Sequence, residues 1–186
     1  SNEKGTKDIL KGICGDFNGG DLSAIIGLSG SGKSSLLDCL SGFQVKNVTG
    51  SITINDEITS IRKVSSYISQ DQTLHQLLTV QETMNLSLNL KNCHGLNDKE
   101  KELKIQEILG KLCINEKGDS FVRDISGGEK KRLSIAVEMI HDPKIIFLDE
   151  PTTGLDYFSS THCIFLLKKL AQEGRTVIIT IHQPSA

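Results

Sequence analysis

The sequence predicts a single α/β unit built around a largely parallel sheet. Three apolar runs, Leu22–Ile26, Ile145–Leu148 and Val177–Ile181, have the composition of strands buried on both faces, and they alternate with segments of helical periodicity. A chain of 186 residues is long enough to bury one such core. Its formal net charge of −2 lacks the basic excess of a general nucleic-acid binder, so we expect no nucleic-acid partner.

The first 70 residues are predicted to contain four strands and one helix. Ile13–Phe17 and Leu22–Ile26 flank a turn-rich Asn-Gly-Gly-Asp segment, which predicts an N-terminal pair of antiparallel strands. Leucines at helical spacing predict a helix over Gly32–Phe43. Two further strands are expected at Ile52–Ile54 and Val64–Ser69.

Helical patterns dominate the middle of the chain, between Asp71 and Asp124. Thr79 and Asn97 are each followed three residues later by glutamate, which is the capping-box pattern of a helix start. We therefore predict a helical subdomain over residues 71–124. It is inserted into an α/β core formed by residues 3–70 and 125–186.

The core resumes with two helices and two strands. Ser126 begins a helix predicted to reach about His141, and the apolar run before Asp149 is a strand. Asp156 can cap a helix that Gly174 ends, because glycine readily adopts the left-handed conformation of a helix stop. The β-branched run that follows completes the sheet.

The segment Gly27–Ser34 fits the pattern G-x-x-x-x-G-K-[ST] in full, with an apolar strand before it and a helix after it. Its glycines let successive backbone N–H groups point at a phosphate, at the positive end of the helix. Lys33 supplies a charge for the outer phosphates, and the Ser34 hydroxyl suits Mg²⁺. The competing interpretation, a glycine-rich turn that binds nothing, is disfavoured by the complete motif and its context.

Two carboxylates end the strand Ile145–Leu148. Asp149 can hold Mg²⁺ through water beside the phosphate loop, and Glu150 can polarise the water that attacks a terminal phosphate. A strand ending in Asp-Glu is common by itself. Together with the phosphate loop, it favours hydrolysis of a nucleoside triphosphate.

A second phosphate-binding element is predicted at Ser126-Gly127-Gly128-Glu129. Serine followed by glutamate is a capping box, but a cap does not need two glycines, which lower helix propensity by ~1 kcal/mol each. Paired glycines at a helix start expose N–H groups, as an anion site requires. The basic run Lys130–Arg132 is interpreted as a solvated helix face.

These motifs, in this order, resemble the nucleotide-binding domain of an ABC transporter. Gln70 matches the Q-loop glutamine of that family, Asp156 matches the D-loop, and His182 matches the switch histidine. Glu129, where most members carry glutamine, and the downstream Ile181–Ser185 are similar to subfamily G, the White-type half-transporters. The resemblance covers nearly the entire chain. It implies a P-loop NTPase core of the ABC type.

The resemblance also implies ATP and Mg²⁺ as ligands and assigns roles to residues. The implied catalytic residues are Lys33, Glu150 and His182. The implied Mg²⁺ contacts are Ser34, Gln70 and Asp149. The implied nucleotide contacts are Gly27, Ser29, Gly30, Ser31, Gly32, Lys33, Ser34, Ser35, Gln70, Ser126, Gly127, Gly128, Glu129 and Asp156.

The implied partners are a second nucleotide-binding domain, as homodimer or heterodimer, and the transmembrane domain of the same full-length chain. ATP would lie between the phosphate loop of one copy and the Ser126–Glu129 element of the other. The chain is then expected to be a soluble piece of a membrane protein, truncated at its C-terminus and placed on the cytoplasmic face. Residues 1–16 contain no aromatic side chain, so the adenine contact is not assigned.

Three other classes of protein share some of these motifs. A soluble ABC ATPase that acts in DNA repair or translation is the main alternative, although no sustained heptads separate Ser34 from Ser126. A nucleotide kinase or GTPase leaves the Ser-Gly-Gly-Glu element and His182 unexplained. A binding module that does not hydrolyse ATP is disfavoured by the presence of Glu150 and His182.

Overall fold

The computed structural model describes residues 8–44, 46–57, 60–70, 74–91 and 96–182. These residues form an α/β fold with a parallel sheet, which confirms the predicted fold class. The elements in chain order are β1 (Leu22–Ile26), α1 (Lys33–Leu40), β2 (Ser65–Ile68), α2 (Val80–Leu90), α3 (Asp98–Lys111), α4 (Gly127–Met139), β3 (Ile145–Leu148), α5 (Tyr157–Gln172) and β4 (Thr176–Ile181).

The sheet has the strand order β1-β4-β3-β2, and every neighbouring pair is parallel. The last strand of the chain, β4, therefore lies between the first strand and β3. Ile26 pairs with Ile181, and Leu148 pairs with Ile179. Because the carboxyl ends of parallel strands lie together, the segments that follow all four strands leave the sheet at the same end.

Two predicted strands are absent from the part of the chain that the structure describes. Ile13–Phe17 has no sheet pairing, so the predicted N-terminal antiparallel pair is wrong. Ile13 and Phe17 are exposed, so no strand partner covers their apolar side chains. Ile52–Ile54 contributes only one isolated antiparallel bridge, from Ile54 to Glu57. In both places the pattern predicted a strand from apolar content, but the sheet pairing that would stabilise it does not form.

The predicted start and end of the helix between Asp156 and Gly174 are confirmed. Asp156 accepts a hydrogen bond from the Ser159 N–H at 2.9 Å and begins α5. Gly174 has φ +97° and donates its N–H to Ala171 O at 2.8 Å, after the last residue of that helix. Only glycine adopts this left-handed conformation without strain, which explains why the helix ends there.

Complete capping boxes begin α2 and α3, as predicted. Thr79 and Asn97 each accept a bond from the N–H of the glutamate three residues on, and that glutamate accepts the N–H of the cap. Both helices pack on α4. One continuous apolar cluster joins Leu88 and Ile105 of this region to Ile146 in the sheet. The division into a subdomain over 71–124 and a core over 3–70 and 125–186 remains a prediction.

Among the described residues, no helix has both the length and the apolar character needed to cross a bilayer.

Candidate nucleotide-binding site

Four of the predicted site segments follow the carboxyl ends of the sheet strands. The phosphate loop follows β1, and His182 follows β4 directly. Asp149 follows β3, and Gln70 lies two residues after the end of β2. The parallel strand order therefore brings together residues that are far apart in the sequence, at the edge where α/β sheets bind ligands.

The phosphate loop has a backbone that only glycine accommodates at several positions. Gly30 and Gly32 have φ values of +74° and +96°. A Cβ atom at Gly27 would lie 2.7 Å from Ser31 Oγ, which is closer than real contacts allow. Gly32 is also the N-cap of α1, and no side chain caps that helix. The first-turn amides of α1 are thus left to an external acceptor, which fits a phosphate group.

The Lys33 ammonium group lies inside this loop. Its side chain is buried, and Nζ donates a hydrogen bond to Leu28 O at 3.2 Å. Nζ also lies 3.7 Å from Glu150 Oε1. A buried cation is stabilised only when charge or hydrogen bonds surround it, and both are present here. The structure therefore brings the loop lysine and the candidate catalytic carboxylate into one ion pair.

The two carboxylates after β3 share one partner, Thr180. The Thr180 hydroxyl donates to Asp149 Oδ1 at 2.5 Å, and it accepts the Glu150 N–H at 2.8 Å. Thr153 donates its hydroxyl to Glu150 Oε2 at 3.0 Å. Neither threonine was predicted from the sequence. Thr180 lies in an apolar β-branched run, where threonine has the composition of an ordinary strand residue.

The residues at this edge fit Mg²⁺. Asp149 is buried at the end of β3, and Ser34 carries an exposed hydroxyl in the first turn of α1. Gln70 is exposed after β2. In the part of the chain that the structure describes, no group of three or more His, Cys, Asp and Glu side chains forms a metal cluster. A sparse set of one carboxylate, a hydroxyl and an amide matches the way Mg²⁺ is held with substrate phosphates.

The Ser126–Glu129 element begins α4 with a complete capping box. Ser126 Oγ accepts the Glu129 N–H at 3.3 Å, and Glu129 Oε2 accepts the Ser126 N–H at 2.7 Å. Burial alone would raise the pKa of the Glu129 carboxyl, but the two bonds from Ser126 and the charges of Lys117 and Arg132 lower it below its ordinary value. The glutamate is therefore held ionised as part of the cap.

The two glycines of this element differ in their surroundings. A Cβ at Gly128 would lie 3.0 Å from Ser159 Cβ and 3.0 Å from Ser159 Oγ, at the start of α5. A Cβ at Gly127 would lie 3.7 Å from Leu155 Cδ2, which is an ordinary contact. Packing between the starts of α4 and α5 thus favours glycine at position 128. Gly127 is exposed and has no such steric reason.

This difference predicts the effect of single alanine substitutions. We expect Gly128→Ala to be less stable than Gly127→Ala by about 1–2 kcal/mol, because overpacking opposes the gain in helix propensity. Gly127→Ala should match or exceed the parent stability by up to about 1 kcal/mol. Urea denaturation of the two variants measures the difference, and equal midpoints would contradict the packing explanation.

The basic run after the glycines is not a solvated face, and that prediction is wrong. Arg132 is buried, and Lys131 Nζ donates to Ser69 O at 3.3 Å and to Gln70 O at 3.4 Å. Lys130 Nζ donates to Arg123 O at 3.3 Å. The helix buries this side because α4 packs against α2, α5 and β2. The run therefore links α4 to the segment that follows β2.

The two predicted phosphate-binding elements are not joined within the chain. Among the hydrogen bonds and ion pairs of the described residues, none connects Ser126–Glu129 to Gly27–Ser34. Asp156 binds the N–H and hydroxyl of Ser159 and is exposed, so its present contacts are those of a helix cap. One chain thus carries a phosphate loop with its two carboxylates and, separately, the start of α4 with the exposed Gly127.

The strand–loop–helix with a buried lysine, beside a parallel strand that ends in two carboxylates, defines a P-loop nucleoside triphosphatase. The family profile described as "ABC transporter" matches residues 10–153, and the chain belongs to this family. It is the ATP-binding domain of such a transporter, and the family consists of ATPases. The recognition of an ABC transporter domain is therefore confirmed.

Curated relatives include several ABC transporter G family members, which confirms the predicted resemblance to subfamily G. Member 6 of Arabidopsis thaliana is 40% identical over 97% of this chain and 26% of its own length. Member 2 of the same plant is 43% identical over 97% of this chain and 25% of its own length. Member 5 of Oryza sativa subsp. japonica is 38% identical over 96% of this chain and 24% of its own length. The chain spans about a quarter of the length of these relatives.

Proposed function

We propose that this domain hydrolyses ATP to drive transport by an ABC half-transporter of the G type. The observation that carries the proposal is the 3.7 Å ion pair between Lys33 Nζ and Glu150 Oε1 at the mouth of the phosphate loop. This pair places a phosphate-binding cation and a candidate general base side by side. A loop that only stored phosphate would need no carboxylate at this position.

The chain's residues divide the chemistry between them. Lys33 and the loop amides bind the outer phosphates of ATP and offset the charge that develops on them. Glu150 orients the attacking water and accepts its proton. His182, half-buried at the end of β4, is proposed to contact the terminal phosphate.

The proposed Mg²⁺ contacts are Ser34, Gln70 and Asp149. When bound, the ion would neutralise phosphate charge and fix the triphosphate in the loop. The side chains assigned to it come from three different segments of the sheet edge. Because these segments follow parallel strands of one sheet, we infer a single ion site at that end of the sheet.

The site is proposed to be completed by a second nucleotide-binding domain. Ser126–Glu129 and Asp156 lie outside the contacts of the chain's own loop, and Gly127 is exposed at a helix start suited to an anion. A partner copy can present these groups to the ATP held by the first. The remaining partner is the transmembrane domain of the full-length chain, which would place this domain at the cytoplasmic face of a membrane. The transported substrate is not assigned.

The shared site predicts how hydrolysis depends on protein concentration. The isolated chain should be monomeric without nucleotide, and phosphate release at saturating ATP-Mg²⁺ should rise faster than linearly with protein concentration.

A complementation experiment with two variants tests the shared site more directly. Lys33→Ala removes the loop charge, and Gly127→Asp adds a carboxylate that repels ATP yet suits the first turn of a helix.

Neither variant alone should form a complete site. A mixture should regain part of the activity, because the intact loop of the Gly127→Asp copy can meet the intact Ser126–Glu129 element of the Lys33→Ala copy. Strictly linear hydrolysis by dilute monomer, with no gain on mixing, would contradict the shared site. Absence of hydrolysis under every condition, including high protein concentration, would contradict the proposed function itself.

A further inference from the structure

We propose that Thr180 is a positioning residue. Its one buried hydroxyl fixes the orientation of the two carboxylates that follow β3, Asp149 and Glu150. The inference rests on the proposed function and deepens it. Thr180 lies on β4, which is the strand between β1 and β3. It is therefore next to the strand that leads into the phosphate loop and also next to the strand that ends in the two carboxylates.

The hydrogen bonds have a fixed direction. A carboxylate can only accept, so the Thr180 hydroxyl donates its proton to Asp149 Oδ1 at 2.5 Å. An amide N–H can only donate, so the Glu150 N–H donates to the same oxygen at 2.8 Å. Thr180 is 0% exposed, and water does not compete for these bonds. A single oxygen thus links the side chain of one acid to the backbone of the next.

The backbone at Glu150 gives this link its importance. Glu150 has φ +44°, in the left-handed region that is costly for residues other than glycine. Such strain persists only where surrounding contacts impose it. The bond from the Glu150 N–H to Thr180 is one such contact. The bond from the Thr153 hydroxyl to Glu150 Oε2, at 3.0 Å, fixes the far end of the side chain.

The two carboxylate oxygens of Asp149 therefore have different roles. Because Oδ1 accepts the Thr180 hydroxyl, the orientation of this buried carboxylate is set from within the sheet. The other oxygen can face the end of the sheet from which α1 starts, with Ser34 in its first turn. Without the hydroxyl, Asp149 could rotate and the Glu150 N–H would lose its acceptor. Both acids would then be misplaced, although neither would have been mutated.

The test compares three substitutions on one strand. Thr180→Val keeps the shape and removes the hydroxyl, whereas Thr180→Ser keeps the hydroxyl. Thr176→Val is the matched control, because Thr176 opens the same strand and makes no side-chain hydrogen bond among those of the described residues. All three proteins are assayed for ATP hydrolysis. ATP binding is measured by calorimetry with and without Mg²⁺, which gives a readout independent of turnover.

We expect Thr180→Val to lower kcat by about tenfold or more with a smaller change in KM, since hydrolysis depends on the placement of the base. The factor by which Mg²⁺ raises the affinity for ATP should fall by about threefold or more. Thr180→Ser should stay within about threefold of the parent in both measurements, and Thr176→Val should be unchanged.

Two results would overturn the inference. One is parent-like kcat and parent-like Mg²⁺ dependence in Thr180→Val. The other is a folded Thr180→Ser that fails as badly as Thr180→Val, because the hydroxyl would then not be the operative group. If Thr180→Val does not fold, Thr180→Ala removes the hydroxyl in its place. If the parent chain itself does not hydrolyse ATP, the proposed function fails, and the Mg²⁺ dependence of ATP binding still decides the role of Thr180.

Discussion

Replacing Lys33 by alanine should largely abolish binding of ATP-Mg²⁺ by the isolated domain. The Lys33 ammonium is buried in the phosphate loop, where its charge acts in a medium less polar than water. Its removal leaves the loop amides to hold the phosphates without a cation and leaves Glu150 without its ion-pair partner. We expect affinity to fall by about a hundredfold or more, which corresponds to ~2.7 kcal/mol.

Calorimetry of the parent and variant proteins measures this effect. Lys168→Ala is a suitable control, because Lys168 is an exposed lysine of α5 that lies outside the candidate site. The control should bind ATP-Mg²⁺ like the parent. Equal affinities of the Lys33→Ala and parent proteins would show that the loop does not bind phosphate through this lysine.

The second large effect is expected for Glu150→Gln. An amide cannot accept a proton from water, so hydrolysis should fall by about a hundredfold or more while ATP binding is retained. Glutamine can still accept the hydroxyl of Thr153, which preserves the local geometry. If two copies share the site, the variant should accumulate as an ATP-bound dimer. Light scattering in the presence of ATP-Mg²⁺ would detect it.

Glu116→Gln makes the same chemical change in an exposed turn, and Glu116 forms no ion pair among those of the described residues, so it controls for the loss of one charge. Its rate should equal that of the parent. Hydrolysis by Glu150→Gln at the parent rate would exclude Glu150 as the general base. Loss of ATP binding in this variant would instead mean that Glu150 serves mainly to position Lys33.

The features predicted correctly from the sequence are those that local chemistry determines. The capping boxes at Thr79, Asn97 and Ser126 need only a few consecutive residues, and all three form. The strand–loop–helix context of the phosphate loop is equally local, because the glycines require its backbone. The family was recognisable for the same reason, since its motifs are short segments in a fixed order.

What the sequence did not reveal depends on contacts between distant segments. The hydroxyl of Thr180 has its role only because β4 lies beside β3, and nothing in the composition of either strand specifies that order. Arg132 looked like part of a charged surface, yet packing among the helices buries it. The apolar content of Ile13–Phe17 suggested a strand, but pairing requires a partner edge, which composition does not supply.

The close contact between the starts of α4 and α5 has a mechanical consequence. Gly128 approaches Ser159 so closely that an added Cβ would lie only 3.0 Å from it, and Leu155 lies against Gly127. The segment that precedes α4 and the segment that joins β3 to α5 are therefore packed against each other. We expect a neighbouring molecule that displaces Gly127 to displace Leu155 with it and, through the short connection back along the chain, Glu150. A partner molecule that binds at the start of α4 would in this way change the position of the candidate general base.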